Sequence, residues 1–174
     1  MVFVIWMTGL PCSGKSTIAK KLGECIPGLE VFDGDEIGKW ILPKNFGWTR
    51  EERLGATARI AHVVKLLLKH GISVCVSTIT PYKESREIAR KIVNDNRFVE
   101  MYLKCPPQVC EDRDVKGMYK KARNGELDNF SGVTSPYEIP ENPELIVDTE
   151  NHTIEDCVLH ILNYLKSNNL IPSI

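Results

Sequence analysis

Gly9-Leu10-Pro11-Cys12-Ser13-Gly14-Lys15-Ser16 decides the reading of this chain. It fits G-x-x-x-x-G-K-[ST] and lies directly behind the apolar run Val2-Phe3-Val4-Ile5-Trp6-Met7. A buried strand, a glycine-rich turn and a helix opening near Lys15 aim a row of backbone N–H groups at one point, the geometry that cradles a phosphate chain. Gly9 and Gly14 allow close approach and backbone conformations that a side chain would block. Lys15 supplies a point charge for the outer phosphates, and the Ser16 hydroxyl is placed to hold Mg²⁺. The helical pattern Thr17-Ile18-Ala19-Lys20-Lys21-Leu22 follows at once. The stretch predicts a nucleoside triphosphate site.

Bulk properties narrow the class. A length of 174 residues suits one domain, read here as 1–174. A net charge of −1 offers no basic excess for nucleic acid or a membrane surface. The apolar N-terminal run is too short for a membrane span and lacks the basic lead of a signal peptide. Six cysteines, at 12, 25, 75, 105, 110 and 157, form no C-x-x-C pair, so neither a zinc site nor a disulfide framework is expected. A reduced cytoplasmic setting follows from that usage.

Strand and helix signals alternate along the chain, the α/β pattern. Leu29–Phe32, Ile72–Val76, Phe98–Leu103 and Leu145–Val147 read as strands two to five. Helices are predicted over about 56–69, ending at Gly71, over 83–93, and from about Thr153, with Val158, Ile161, Leu162 and Leu165 on one face. Thr49 with Glu52 three residues on makes a capping box at a further helix start. Short apolar strands joined by helical crossovers predict a five-stranded, mostly parallel sheet with helices on both faces. Ligands of such sheets lie beyond the carboxyl ends of the strands. The segments Gly9–Ser16, Asp33–Asp35 and Ser77–Tyr82 all follow strands and should therefore line one crevice.

Three further groups carry chemistry. Asp33-Gly34-Asp35 is either a turn and helix cap, or a pair of carboxylates that orients an acceptor hydroxyl and organises water around Mg²⁺. The charge-dense run Cys110–Arg123 is either a solvated helix, with Lys116, Lys120 and Arg123 on one face, or a lid whose cations close over phosphates. Trp48 and Phe130 lie in polar, glycine-containing surroundings and are either core filler or a sandwich for a planar base. Arg53 and Arg59 have the guanidinium chemistry for a phosphate or sulfate group.

With these residues in view, the chain resembles the adenylylsulfate kinase family over nearly its full length. The matching segments are Trp6–Leu10 leading into the phosphate loop, Asp33-Gly34-Asp35, Gly47-Trp48-Thr49 with Arg53, and Ile79-Thr80-Pro81-Tyr82. The strongest is Cys110–Gly132, continued by Ser135-Pro136-Tyr137-Glu138 and Pro140-Glu141-Asn142-Pro143-Glu144. The resemblance implies a P-loop kinase domain with a mobile lid at about 113–132. It also implies ATP and Mg²⁺ as cofactors and a small nucleotide acceptor phosphorylated on its ribose 3′-hydroxyl. ATP would be held by Gly9, Pro11, Cys12, Ser13, Gly14, Lys15, Ser16, Thr17 and Arg113, with Ser16 on the metal. Lys15, Asp35 and Lys116 would be catalytic. The acceptor would be held by Asp33, Asp35, Trp48, Arg53, Arg59, Ile79, Thr80, Lys116, Lys120 and Phe130. Relatives of this kind are often homodimers.

The departures gather at the acceptor side. Gly38 stands where the family has Arg, Ala56 where it has Asn, Ala58 where it has the first Arg of a pair, and Lys83 where Arg is common; Trp48 replaces a Phe. The resemblance implies adenosine 5′-phosphosulfate as the first acceptor, with Lys39 and Arg59 to compensate for these departures. A cytidine diphosphate derivative, such as the cytidine diphosphoramidate used in surface polysaccharide modification, is the alternative. A GTP-driven switch would need an N-K-x-D segment, which the sequence lacks, and a binding module without chemistry would not need Lys15, Asp35 and the lid cations together.

Overall fold

Alternation along the first strand organises the core. In the computed structural model, which describes residues 2–172, β1 (Val4–Thr8) is buried on both faces. Ile5 and Met7 point into one apolar layer and Val4 and Trp6 into the other, as period-two geometry requires. Helix α1 (Lys15–Cys25) follows, then β2 (Leu29–Asp33), α2 (Gly34–Ile41), α3 (Arg50–Lys69) and β3 (Ser73–Ser77). The chain continues through α4 (Lys83–Val93), β4 (Phe98–Lys104), α5 (Pro107–Arg113), α6 (Met118–Arg123), β5 (Leu145–Asp148) and α7 (Ile154–Ser167).

The five strands pair in the order β2-β3-β1-β4-β5, and every pairing is parallel, where the sequence predicted a mostly parallel sheet. Helices α1 and α7 cover one face through Ile18, Leu22, Val158, Ile161 and Leu165. Helices α3 and α4 cover the other through Ile60, Ala61, Val64, Ala89 and Val93. Burial on both faces explains why the strands read as apolar runs rather than as an alternation.

Strand boundaries lie within one or two residues of those expected. Thr49 and Glu52 form the anticipated capping box, which starts α3 at Arg50, six residues before its apolar periodicity begins. Its end is a Schellman motif: Ile72 N–H bonds to the Leu67 carbonyl and Gly71 N–H to that of Leu68, with Gly71 at φ 82°. Thr153 and Asp156 make the second capping box, at α7.

One expectation fails. Cys110–Arg123 is not a single helix, because Asp114 and Gly117, at φ 15° and 65°, break it between α5 and α6. Lys116 thus lies in the break, off the face that carries Lys120. Arg123 turns back onto Glu111, at 2.8 and 3.0 Å, and does not join a common cationic face.

Candidate active site

The loop after β1 is shaped by its own sterics. A Cβ on Gly9 would stand 2.7 Å from Ser13 Oγ and 3.0 Å from the Leu103 carbonyl, so only glycine fits. Cys12 and Gly14 take left-handed backbones, φ 62° and 94°, which fold the turn over the start of α1. Lys15 lies back across this loop, donating to the carbonyls of Gly9 (2.9 Å) and Leu10 (2.6 Å) and to Ser13 Oγ (3.3 Å). Burial lowers its pKa to about 8. Ser16 and Thr17 stand exposed on the first turn of α1.

The carboxyl ends of β1, β2 and β3 meet as expected. Gly9 N–H and the Thr8 hydroxyl both reach the Ile79 carbonyl, at 3.4 and 2.8 Å, and the Ser77 hydroxyl reaches Asp33 Oδ2 at 3.4 Å. Asp33 caps α2 by accepting the Asp35 N–H at 2.9 Å, so the cap reading of Asp33-Gly34-Asp35 holds, and the segment also stands at the carboxyl end of β2. Asp35 projects outward and forms an ion pair with Lys116. That hydrogen bond holds the Lys116 pKa above its ordinary value. Thr80 turns its hydroxyl inward, where it accepts from the Trp6 indole at 3.0 Å and pairs with Thr78 at 2.7 Å. Its carbonyl is likewise engaged inside, accepting from the Thr8 hydroxyl at 3.1 Å and from Arg86 at 3.2 Å.

The segment 113–132 packs onto the phosphate loop. The Tyr119 hydroxyl donates to the Pro11 carbonyl at 3.1 Å, and its ring meets Phe130 edge-on at 5.0 Å. Leu10, Cys105, Cys110 and Tyr119 form the small apolar cluster beneath. Arg113 donates to the Thr149 carbonyl at 2.5 Å and to that of Cys12 at 3.4 Å, while the Thr149 hydroxyl donates to the Ser13 carbonyl at 3.0 Å. Lys120 is exposed, its backbone N–H capped by Asp114.

At the start of α3, Trp48 is 44% exposed, at φ 61°, and Arg53 is buried, donating to the carbonyls of Trp48 and Asn129. Arg59 lies about 120° around α3 from Arg53. It is exposed and has no hydrogen-bond or ion-pair partner among the described residues, so the fold does not gather it with the rest. The residues that sequence reasoning missed are Thr149, Tyr119 and Asn129. Thr149 follows a strand end, the same signal that singled out the other loops. Tyr119 and Asn129 act through contacts with residues distant in sequence and gave no signal of their own.

A parallel sheet whose first strand delivers a glycine-rich loop to a helix, with a lysine, a hydroxyl and a facing carboxylate, defines a P-loop kinase. The adenylylsulphate kinase family profile matches residues 1–148. The adenylyl-sulfate kinase of Staphylococcus epidermidis is 45% identical over 172 residues, covering 97% of this chain and 86% of that protein. The probable adenylyl-sulfate kinase of Aeropyrum pernix is 44% identical, covering 94% and 92%. Among solved structures, the Mycobacterium tuberculosis APS kinase CysC in complex with AMPPNP and APS superposes with a TM-score of 0.86 at 36% identity, covering 95% of this chain and 98% of that one. This chain belongs to the adenylylsulphate kinase family, and its members are ATP-dependent transferases. Among the described residues no helix is long and apolar enough to cross a membrane.

Proposed function

We propose that this kinase transfers the γ-phosphoryl group of ATP to the ribose 3′-hydroxyl of adenosine 5′-phosphosulfate, giving 3′-phosphoadenosine 5′-phosphosulfate. The observation that carries the reading is the Asp35–Lys116 pair at the mouth of the phosphate loop. It sets a carboxylate that can orient an incoming hydroxyl beside an ammonium that can neutralise the moving phosphoryl group. The named relatives and the complex with AMPPNP and APS support the same choice of substrates.

The residues divide the work. Backbone N–H groups of 9–16 and Lys15 take the phosphates, and Arg113 with Thr149 lines the side where the nucleotide base would lie. The exposed Ser16 hydroxyl, with the Asp33 carboxylate across the crevice, offers the hard oxygen donors that would hold Mg²⁺. Bound Mg²⁺ would supply charge neutralisation at the β- and γ-phosphates. Trp48 and Phe130 stack on the acceptor base, with Ile79 and Thr80 as a third wall. Segment 113–132 acts as the lid, bringing Lys116 and Lys120 over the phosphates, and the reaction belongs in the cytoplasm.

A second reading keeps the transfer and changes the acceptor. It is favoured by the acceptor side itself: Gly38 and Ala56 offer no cation or amide where the resemblance implies Arg and Asn, and Arg59 lies about 120° around α3 from Arg53. Steady-state assays with adenosine 5′-phosphosulfate and with cytidine diphosphoramidate decide between them. The first reading predicts saturable turnover of the phosphosulfate; turnover of the cytidine nucleotide alone would replace it with the second.

A further inference from the structure

Two residues beside the acceptor crevice hold left-handed backbones, Trp48 at φ 61° and Asn129 at φ 56°. For a bulky residue such as Trp that conformation persists only when its surroundings enforce it. One side chain reaches both. Arg53 Nε donates to the Trp48 carbonyl at 2.9 Å and Nη2 to the Asn129 carbonyl at 2.6 Å. The same guanidinium lies 5.2 Å from the centre of the Trp48 ring. Asn129 adds a second strut, its Nδ2 donating to the Gly47 carbonyl at 3.0 Å. Arg53 is 8% exposed and has no carboxylate partner among the described residues.

Phe130 follows Asn129 directly, and its ring is fixed on the other side by Tyr119. The separation of the two aromatic rings is thus set through Arg53, from a rigid helix, by bonds to the backbone next to each ring. A planar fork with donors on two edges can bridge two carbonyls in this way, whereas a lysine ammonium cannot span both and stack as well. We propose that Arg53 is a positioning residue. It fixes the gap between Trp48 and Phe130, and so governs acceptance of the nucleoside through those rings and not through the anionic head group. This rests on the reading above that the two rings hold the acceptor base.

The test uses the full chain in a Trp40→Phe background, which removes the indole that is 82% exposed. Two variants are compared, Arg53→Lys and Asn129→Gly; the second keeps the left-handed turn and the Arg53 bond but removes the Nδ2 strut. For Arg53→Lys, acrylamide quenching of indole fluorescence should rise in ligand-free protein. The KM for adenosine 5′-phosphosulfate and the inhibition constant of uncharged adenosine should rise together, about tenfold or more, with the KM for ATP unchanged. Asn129→Gly should give the same pattern at about threefold. A loss confined to the phosphosulfate, with adenosine inhibition and quenching unchanged, makes Arg53 an anion contact and overturns the proposal. If Arg53→Lys does not fold, unchanged quenching and adenosine inhibition in Asn129→Gly overturn it equally. Should the phosphosulfate prove not to be the acceptor, the quenching and adenosine measurements still decide.

Discussion

Lys116 reaches out of the break between α5 and α6 to the carboxylate of Asp35 at the start of α2, joining residues 81 apart in sequence. In this arrangement the Asp35 carboxylate already has a cation before any substrate enters. Both side chains are largely exposed, so the pair adds little to stability. Its consequence is for the reaction.

Asp35→Ala should lower kcat by about 10²–10⁴-fold while leaving the KM for ATP within a few-fold, since the side chain of Asp35 bonds to Lys116 and not to the phosphate loop. Lys116→Ala should lower kcat as well and keep acceptor binding. Steady-state kinetics with each substrate varied checks both; a fully active Asp35→Ala enzyme would remove the carboxylate from the transfer step.

Lys15 gives a pH signature. Burial lowers its pKa to about 8, so in the free enzyme the ammonium is present below that pH and lost above it. Phosphate binding draws on the ammonium, so the dissociation constant for ATP should weaken by about fivefold between pH 8 and pH 9. Stability moves the other way: the unfolded chain binds the Lys15 proton more tightly, so this group's penalty on folding is present below pH 8 and fades between about 8 and 10.5. Calorimetric titration of ATP over this range checks the first point, and the Lys15→Arg variant should show no such weakening.

Gly9→Ala places a methyl group within 3.0 Å of a side chain and of the Leu103 carbonyl, which belongs to a core strand and has little freedom to move. It should cost about 1–3 kcal/mol in thermal or urea unfolding and abolish ATP binding in whatever folds.

Thr149→Val keeps the volume and removes the hydroxyl that satisfies the Ser13 carbonyl. The buried carbonyl left without a donor should cost about 1–3 kcal/mol and raise the KM for ATP several-fold, with the acceptor KM unchanged.

What the sequence disclosed, and what it withheld, follows from the range of the interactions. The phosphate loop, the capping box of α3 and the Gly71 stop are local chemistry, written in consecutive residues, and they stand where the pattern put them. The five strands were legible because burial on both faces makes each a short apolar run. The break at Asp114–Gly117 was not, since the i, i+4, i+7 spacing of Lys116, Lys120 and Arg123 fits a helix equally well; a left-handed glycine and the Arg123–Glu111 pair override it. Arg53 is the sharper case. Its residue type suggested an anion ligand, whereas its two carbonyl bonds come from loops 5 and 76 residues away, and no sequence pattern reports those. Arg59 illustrates the converse, an exposed guanidinium with the same chemistry about 120° around α3 from Arg53.

The most direct test of the central claim is the position of the transferred phosphate. Purified protein incubated with MgATP and adenosine 5′-phosphosulfate should yield ADP and one new phosphomonoester, whose ³¹P resonance couples to the ribose H3′. Phosphate released to water without transfer, or attached at any other oxygen, would contradict the account.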